Sequence, residues 1–534
     1  MSVSRPRVSR RGFLGFSAAS AGAVMLGTGT WSASPAYAAP TGLGNPFTLG
    51  VASGDPMHDS VVLWTRLAPD PFAVDGRGGM PDQPVRVEYE VAKDERFRSA
   101  VRRGSVVAMP ELGHSVHPEV SGLAPGHEYF YRFRVGGEIS RVGRTRTTPH
   151  PRSQPRRLRF AFASCQAWQD GYYTAYDHMA NEDLDLVVHL GDYLYEYGVA
   201  TNRRGVTTDP RFHTETADLA RYRLQYALYK SEAPLQNAHA QFPWIQTMDD
   251  HEVDNNWAAD IPENRNPNQG NDTTERFLRR RADAFQAMYE NMPLRAAQMP
   301  SGPDMRLHRR LPYGRLADFT MLDTRQYRTD QPCGDGGGTT CGDRFDPDRT
   351  MLGGKQREWL LDGFRSSSAR WQILGNQAPM IQTDRNPDPA VTDVWYDPWD
   401  GYVAERNQVL AAARDRGVPN LVVITGDRHQ NYAANLHLDY ADPGSPVVGT
   451  EFVGTSITSG GDGYDVDATG QTFLDANPHM KFFNAQRGYA SVTVTPELWR
   501  TDFRVVDYVT RPGSPVRTRA GLVVQDRVPG VQYA

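Results

Sequence analysis

The chain has 534 residues, 39% hydrophobic and 23% charged, with 58 Lys and Arg against 63 Asp and Glu and a formal net charge of −5 at pH 7. That is more chain than one hydrophobic core usually organises, so more than one domain is expected. The acidic balance argues against nucleic acid as a partner, because phosphate-backbone binding needs clustered positive charge.

The N-terminus reads as an export signal over 1–38. Arg5, Arg7, Arg10 and Arg11 make a basic start, a diluted apolar run covers 12–30, and Ala36-Tyr37-Ala38 has the small-x-small pattern of a cleavage site. The run is too short and too weak for a permanent membrane span, so the mature chain is expected to have none. Arg10-Arg11 inside Ser-Arg-Arg-Gly-Phe-Leu-Gly resembles a twin-arginine signal. The other reading is an ordinary secretory signal with neighbouring arginines. The twin-arginine export machinery would deliver a folded protein to the periplasm, the cell surface or the medium. Losing those four arginines takes the formal charge from −5 to −9. Such an acid excess favours solubility and offers ligands to hard cations.

From 46 to 148, short alternating stretches (60–65, 85–91, 105–109 and 129–135) are separated by Pro and Gly clusters. Val85, Val87, Tyr89 and Val91 alternate with polar residues, the pattern of a half-buried antiparallel strand. The segment 123–131 reads as a turn followed by a strand with an early tyrosine, like the corner of fibronectin-type sandwiches. An immunoglobulin/fibronectin-like β-sandwich is expected here. Pro149, Pro151 and Pro155, mixed with arginines, make a linker into a second domain over 156–520.

In that second part, apolar strands each run into chemically able residues. The stretch 159–163 ends at Ser164-Cys165-Gln166, 186–190 at Gly191-Asp192-Tyr193-Leu194-Tyr195, and 244–248 at Asp249-Asp250-His251-Glu252. Further on, 316–322 ends at Asp323-Thr324-Arg325, 372–374 at Gly375-Asn376-Gln377, and 421–425 at Gly426-Asp427-Arg428-His429. Layered α/β folds place their sites at the carboxyl ends of strands. Helical faces lie between, on Leu219, Tyr222, Tyr226 and Tyr229 and on Phe277, Arg280, Ala284 and Met288. Cys333 and Cys341 flank a Gly-rich loop and are expected to pair in an oxidising compartment, leaving Cys165 alone.

The strand-end residues Cys165, Asp192, Tyr195, Asp250, Asp427 and His429 combine a thiol, carboxylates, a phenol and an imidazole. Phenolate and thiolate suit a transition metal in a high oxidation state, while carboxylates suit Ca²⁺, Mg²⁺ or Mn²⁺, so two unlike metals are a natural reading. Asp192, directly after a strand and a glycine, is the best candidate to bridge them. Each motif alone is weak, and an aspartate after Gly is often only a cap. The order Gly-Asp-x-x-Tyr, Asp-Asp-His-Glu, Gly-Asp-x-His is what makes the set specific.

Gly191-Asp192-x-x-Tyr195 and Asp250-His251-Glu252 resemble blocks of the calcineurin-like metallophosphoesterases. An Asp-x-His first block is missing, with Phe162-Ala163-Ser164-Cys165-Gln166 in its place, and the last block is Gly-Asp-x-His. Those departures, with Gly50-Val51-Ala52-Ser53-Gly54-Asp55-Pro56, Leu63-Trp64-Thr65-Arg66 and the Asp-Asp-His-Glu-Val-Asp-Asn-Asn run over 249–256, resemble the alkaline phosphatase D (PhoD) family over nearly the whole mature chain. The resemblance implies a β-sandwich on a four-layer αββα metallophosphoesterase domain, and a site holding Fe³⁺ and Ca²⁺. Carried across, Cys165, Asp192, Tyr195 and His429 would hold iron, and Asp250 and Asp427 would face calcium. A metal-activated hydroxide would attack phosphorus in line with the leaving alkoxide.

Around these ligands, His251 is a candidate to bond substrate or to protonate the leaving oxygen. Arg325 is a candidate phosphate contact, or else a surface salt bridge. Asn376 is a candidate ligand or phosphate donor, or else a turn residue. The expected substrates are small phosphate esters, monoesters and also diesters, or phospholipid head groups. A secreted phosphodiesterase or phospholipase D of the same fold is the first alternative. A calcium-binding secreted protein is the second, although it would have no need of Cys165, Tyr195, His251 and His429 at successive strand ends.

Overall fold

The computed structural model describes residues 44–442 and 444–534, so the export signal lies outside the described residues. Two large sheets organise the chain. The first is built on four parallel strands in the order Leu158–Ala163, Leu186–His189, Pro243–Gln246, Val51–Gly54. Antiparallel strands extend it on both sides, including Gly488–Val494 and Leu498–Val506 beside Leu158–Ala163 and Ser60–Arg66 beside Val51–Gly54. The second sheet has parallel strands Ala317–Met321, Trp371–Gly375, Leu421–Thr425 and Val447–Val453, with antiparallel strands at its edges.

Alternation explains how these strands pack. Phe160, Phe162, Val188 and Ile245 point to one side of the first sheet and meet Phe319, Ile373, Val422, Ile424 and Phe452 of the second. Ala161, Ala163, Val187 and Trp244 point the other way, onto Tyr176, Tyr226, Phe285 and Met288 from helices Thr174–Ala180, Leu219–Lys230 and Thr274–Asn291. Leu374 and Val423 of the second sheet face helices Gly353–Ser366 and Val403–Asp415 through Leu360, Phe364, Val409 and Leu410. Strands buried on both faces read as continuous apolar runs, which is why these segments stood out in the sequence.

In the N-terminal part, a smaller sheet carries Ala100–Ala108, Val85–Ala92, Glu128–Val135 and Gly143–Arg146. Its inward residues Val85, Val87, Tyr129, Tyr131 and Phe133 pack on Val51, Val61 and Leu63. Ala124 N–H donates to the Tyr129 hydroxyl at 2.8 Å, closing the turn-strand corner. One sheet of this pair is continuous with the first large sheet, because Val51–Gly54 pairs in parallel with Pro243–Gln246. Cys333 and Cys341 form a disulfide, and Cys165 is a buried free thiol.

Candidate metal centre

Three of the first sheet's parallel strands, Leu158–Ala163, Leu186–His189 and Pro243–Gln246, and Leu421–Thr425 of the second deliver their carboxyl ends to one place. The chain must turn sharply there, and four non-glycine residues take left-handed φ angles: Cys165 (59°), Asp192 (54°), Asp427 (66°) and His429 (55°). Each such residue costs about 1–2 kcal/mol, so the surrounding hydrogen bonds must hold it. Gly191 (φ 113°) leaves no alternative residue, since a Cβ there would lie 2.5 Å from Asp249. Gln166 N–H donates to the Asp192 carbonyl at 3.0 Å and Cys165 N–H to that of Gly191 at 3.2 Å, lacing the first two strand ends together.

Glu252 fixes the rest. Its carboxylate accepts backbone N–H bonds from Asp192 (3.1 Å), Tyr193 (2.7 Å) and Asp249 (2.8 Å), clamping two strand-end turns onto one side chain.

Two groups of ligand atoms result. Cys165, Asp192 and His429 each bring one within 4.8 Å of the others, and so do Asp192, Asp250 and His251. Asp192 belongs to both. The Tyr195 hydroxyl joins the first group, donating to Asp192 Oδ2 at 3.0 Å and lying 3.0 Å from His429 Nε2 and 2.9 Å from Ser459 Oγ. Asp250 accepts from the backbone N–H of Asn256 at 2.8 Å. Asp427 ends its strand alongside, within electrostatic reach of Asp250 and Asp397.

The electrostatics describe a site short of positive charge. Burial pushes the Cys165 thiol and the Tyr195 phenol well up, and neighbouring Asp192 adds to both. Burial raises Asp192 as well, and raises Asp427 to about 6. Burial also lowers His429 to about 3, leaving a neutral imidazole suited to a ligand. Asp250 is the exception: against the desolvation of burial, Arg325 and His251 hold it below the usual carboxylate range. Asp192 Oδ1 is buried with no hydrogen-bond partner. A buried carboxylate oxygen without a donor, set among a thiol, a phenol and a neutral imidazole, fits a cation.

The remaining sequence candidates sit differently. His251 stacks on Tyr195 at 4.1 Å, and Glu196 fixes its Nδ1 at 2.8 Å, holding the imidazole charged despite its burial. Arg325 is 0% exposed. Its guanidinium donates to Asp249 (2.6 Å) and Asp397 (2.9 Å) and lies 3.7 Å from Asp250, so it serves as an internal counter-charge beneath the carboxylates. Asn376 Nδ2 donates to the Ala378 carbonyl (2.5 Å) and its Oδ1 accepts from Trp399 Nε1 (3.2 Å), a wholly internal pairing.

Glu196, Glu252 and Asp397 were given no role by the sequence. The first two stand in the motif runs themselves, next to Tyr195 and His251. For Asp397, which collects Arg325, Arg328 and Gln331, only the fold supplies the signal.

Comparisons with known proteins bear on the chain as a whole. The sequence profile of PhoD-like phosphatases matches residues 160–503, and that of the PhoD-like phosphatase N-terminal domain matches residues 32–149. Alkaline phosphatase D of Bacillus subtilis (strain 168) is 49% identical over 498 residues, covering 93% of this chain and 83% of that protein. The solved structure of PhoD is 48% identical and superposes with a TM-score of 0.88 over 93% of each chain. A chain matched over so much of its length belongs to the PhoD-like phosphatase family, alkaline phosphatases that hydrolyse phosphoric esters.

Proposed function

We propose that this phosphatase is exported and metal-dependent, and that it acts on phosphomonoesters and also on diesters. The observation that carries the metal reading is Asp192, shared by both ligand groups with one buried oxygen left without a partner. Cys165, Asp192, Tyr195 and His429 would hold Fe³⁺, and Asp250 and Asp427 would face Ca²⁺ with Asp192 between the two. When bound, such a pair lowers the pKa of water at the site and offsets charge on the phosphoryl oxygens.

The chain's own residues supply the rest. Glu252 and Arg325 keep the ligand-bearing turns in place. His251, oriented by Glu196, hands a proton to the leaving oxygen. The layers described above support reading residues 156–520 as an αββα metallophosphoesterase domain carrying an immunoglobulin/fibronectin-like sandwich over 46–148. Export rests on the Arg10-Arg11 signal. No helix among the described residues is long and apolar enough to cross a membrane.

The test is hydrolysis of p-nitrophenyl phosphate and bis-p-nitrophenyl phosphate at alkaline pH, with and without a calcium chelator. Monoester turnover that chelation abolishes and Ca²⁺ restores is the expected result. A strong diester preference moves the activity to a phosphodiesterase or phospholipase on the same centre. No hydrolysis by protein shown to contain both metals overturns the reading.

A further inference from the structure

With Arg325 enclosed by carboxylates and His251 paired to Glu196, a guanidinium for the phosphoryl oxygens would have to come from elsewhere, and the structure offers one. The strand Leu421–Thr425 and Gly426 are buried, but the next four residues, 427–430, are half-exposed, so the chain surfaces at this loop. Arg428 stands in it between Asp427 and His429, both assigned above to the metal centre. It makes no ion pair among the described residues, and its Nε is buried without a hydrogen-bond partner.

The neighbouring carboxylates Asp427 and Asp397 attract it without forming an ion pair among the described residues. Asp397 is already held by Arg325 (2.9 Å) and Arg328 (2.5 Å). Asp427 lies next to Arg428 but outside ion-pair distance.

What holds the guanidinium is the Tyr432 hydroxyl, its hydrogen-bond partner, together with an aromatic ring. The guanidinium lies 5.9 Å from the ring of Trp395, whose ring also carries Arg385 at 4.1 Å. Trp395 is itself fixed by pairing with Gly337 inside the disulfide-closed loop. An arginine steadied by one phenol hydroxyl and one aromatic ring, half-exposed and with no carboxylate paired to it, can donate to oxyanions in its plane.

We propose that Arg428 contacts the non-bridging oxygens of the substrate phosphoryl group, and that it sets the preference for phosphate monoesters over diesters. A monoester at alkaline pH presents a dianion on three such oxygens, and a diester a monoanion on two. A fixed guanidinium therefore stabilises the monoester more. The inference rests on the phosphatase reading of the centre, and the wild-type enzyme tests that reading separately by turning over either ester.

The experiment compares kcat/KM for p-nitrophenyl phosphate and bis-p-nitrophenyl phosphate in wild type, Arg428→Gln and Arg428→Lys, with metal content measured on each preparation. Losing one charge-assisted contact should lower the monoester-to-diester ratio by about tenfold in Arg428→Gln, with Arg428→Lys in between. Inhibition by inorganic phosphate should weaken by a similar factor, with metal content unchanged. Equal losses on both esters, an unchanged ratio, or metal lost from both variants would overturn it.

Discussion

Asp192 concentrates more of the chemistry than any other side chain. It stands in both ligand groups, accepts from Tyr195, and keeps one oxygen free of donors. Asp192→Asn preserves shape and the bond from Tyr195 while removing the charge. Its expected outcome is loss of metal, read by elemental analysis, and a fall in kcat of at least about a hundredfold, since even outer-shell partners of metal sites cost 10–100-fold. Normal metal content with normal turnover would remove Asp192 from the centre. Glu252 is predicted to act through stability instead. Glu252→Ala strands three buried N–H groups, each worth about 1–3 kcal/mol, so the thermal midpoint should drop steeply while Glu252→Gln retains part of it. At this scale the sequence was half legible. That Cys165, Asp192, Asp250 and His429 gather at the strand ends was readable, because each follows an apolar run. The destinations of Arg325 and Asn376 were not, since nothing local says that an arginine after a strand turns inward to meet Asp249 and Asp397.

Elements carry a different kind of constraint. The strand 421–425 was readable to the residue, and the other strands at the centre to within one or two, because burial on both faces leaves an uninterrupted apolar signal. Pairing partners left no such trace. Within the second sheet, Glu451 of Val447–Val453 accepts N–H bonds from Met380 (2.9 Å) and Ile381 (2.7 Å) and the Thr425 hydroxyl (2.5 Å), tying a loop to two strands. Burial raises its pKa from 4.5 to about 7. The folded state then holds this proton more tightly than the unfolded chain, so the stabilisation is complete below pH 4.5 and is lost as pH rises to about 7. Measured against Glu451→Gln, the wild-type thermal midpoint should decline across that window and run parallel above it. The disulfide loop is a second such element. Its Asp335 accepts from Asn256 Nδ2 at 2.8 Å, and Asn256 in turn donates to Asp250. Opening it with the double variant Cys333→Ser/Cys341→Ser should cost about 2–3 kcal/mol, read by thermal unfolding under non-reducing conditions.

Over the whole molecule, two compositional habits meet in one sheet. The N-terminal part, with its Pro and Gly punctuation, reads as a separate unit, and its small sheet does have its own core. Yet Ser53 and Gly54 align with Pro243 and Trp244, about 190 positions further along the chain. The strand that opens the described structure is thus shut between a hairpin neighbour and a partner made much later, and neither part finishes its sheet alone. A single proteolytic cut in the 149–155 linker should therefore yield two bands under denaturing electrophoresis and one particle by size exclusion. Nicked in this way, the enzyme would keep working, because the cut severs the covalent thread while leaving the woven edge intact.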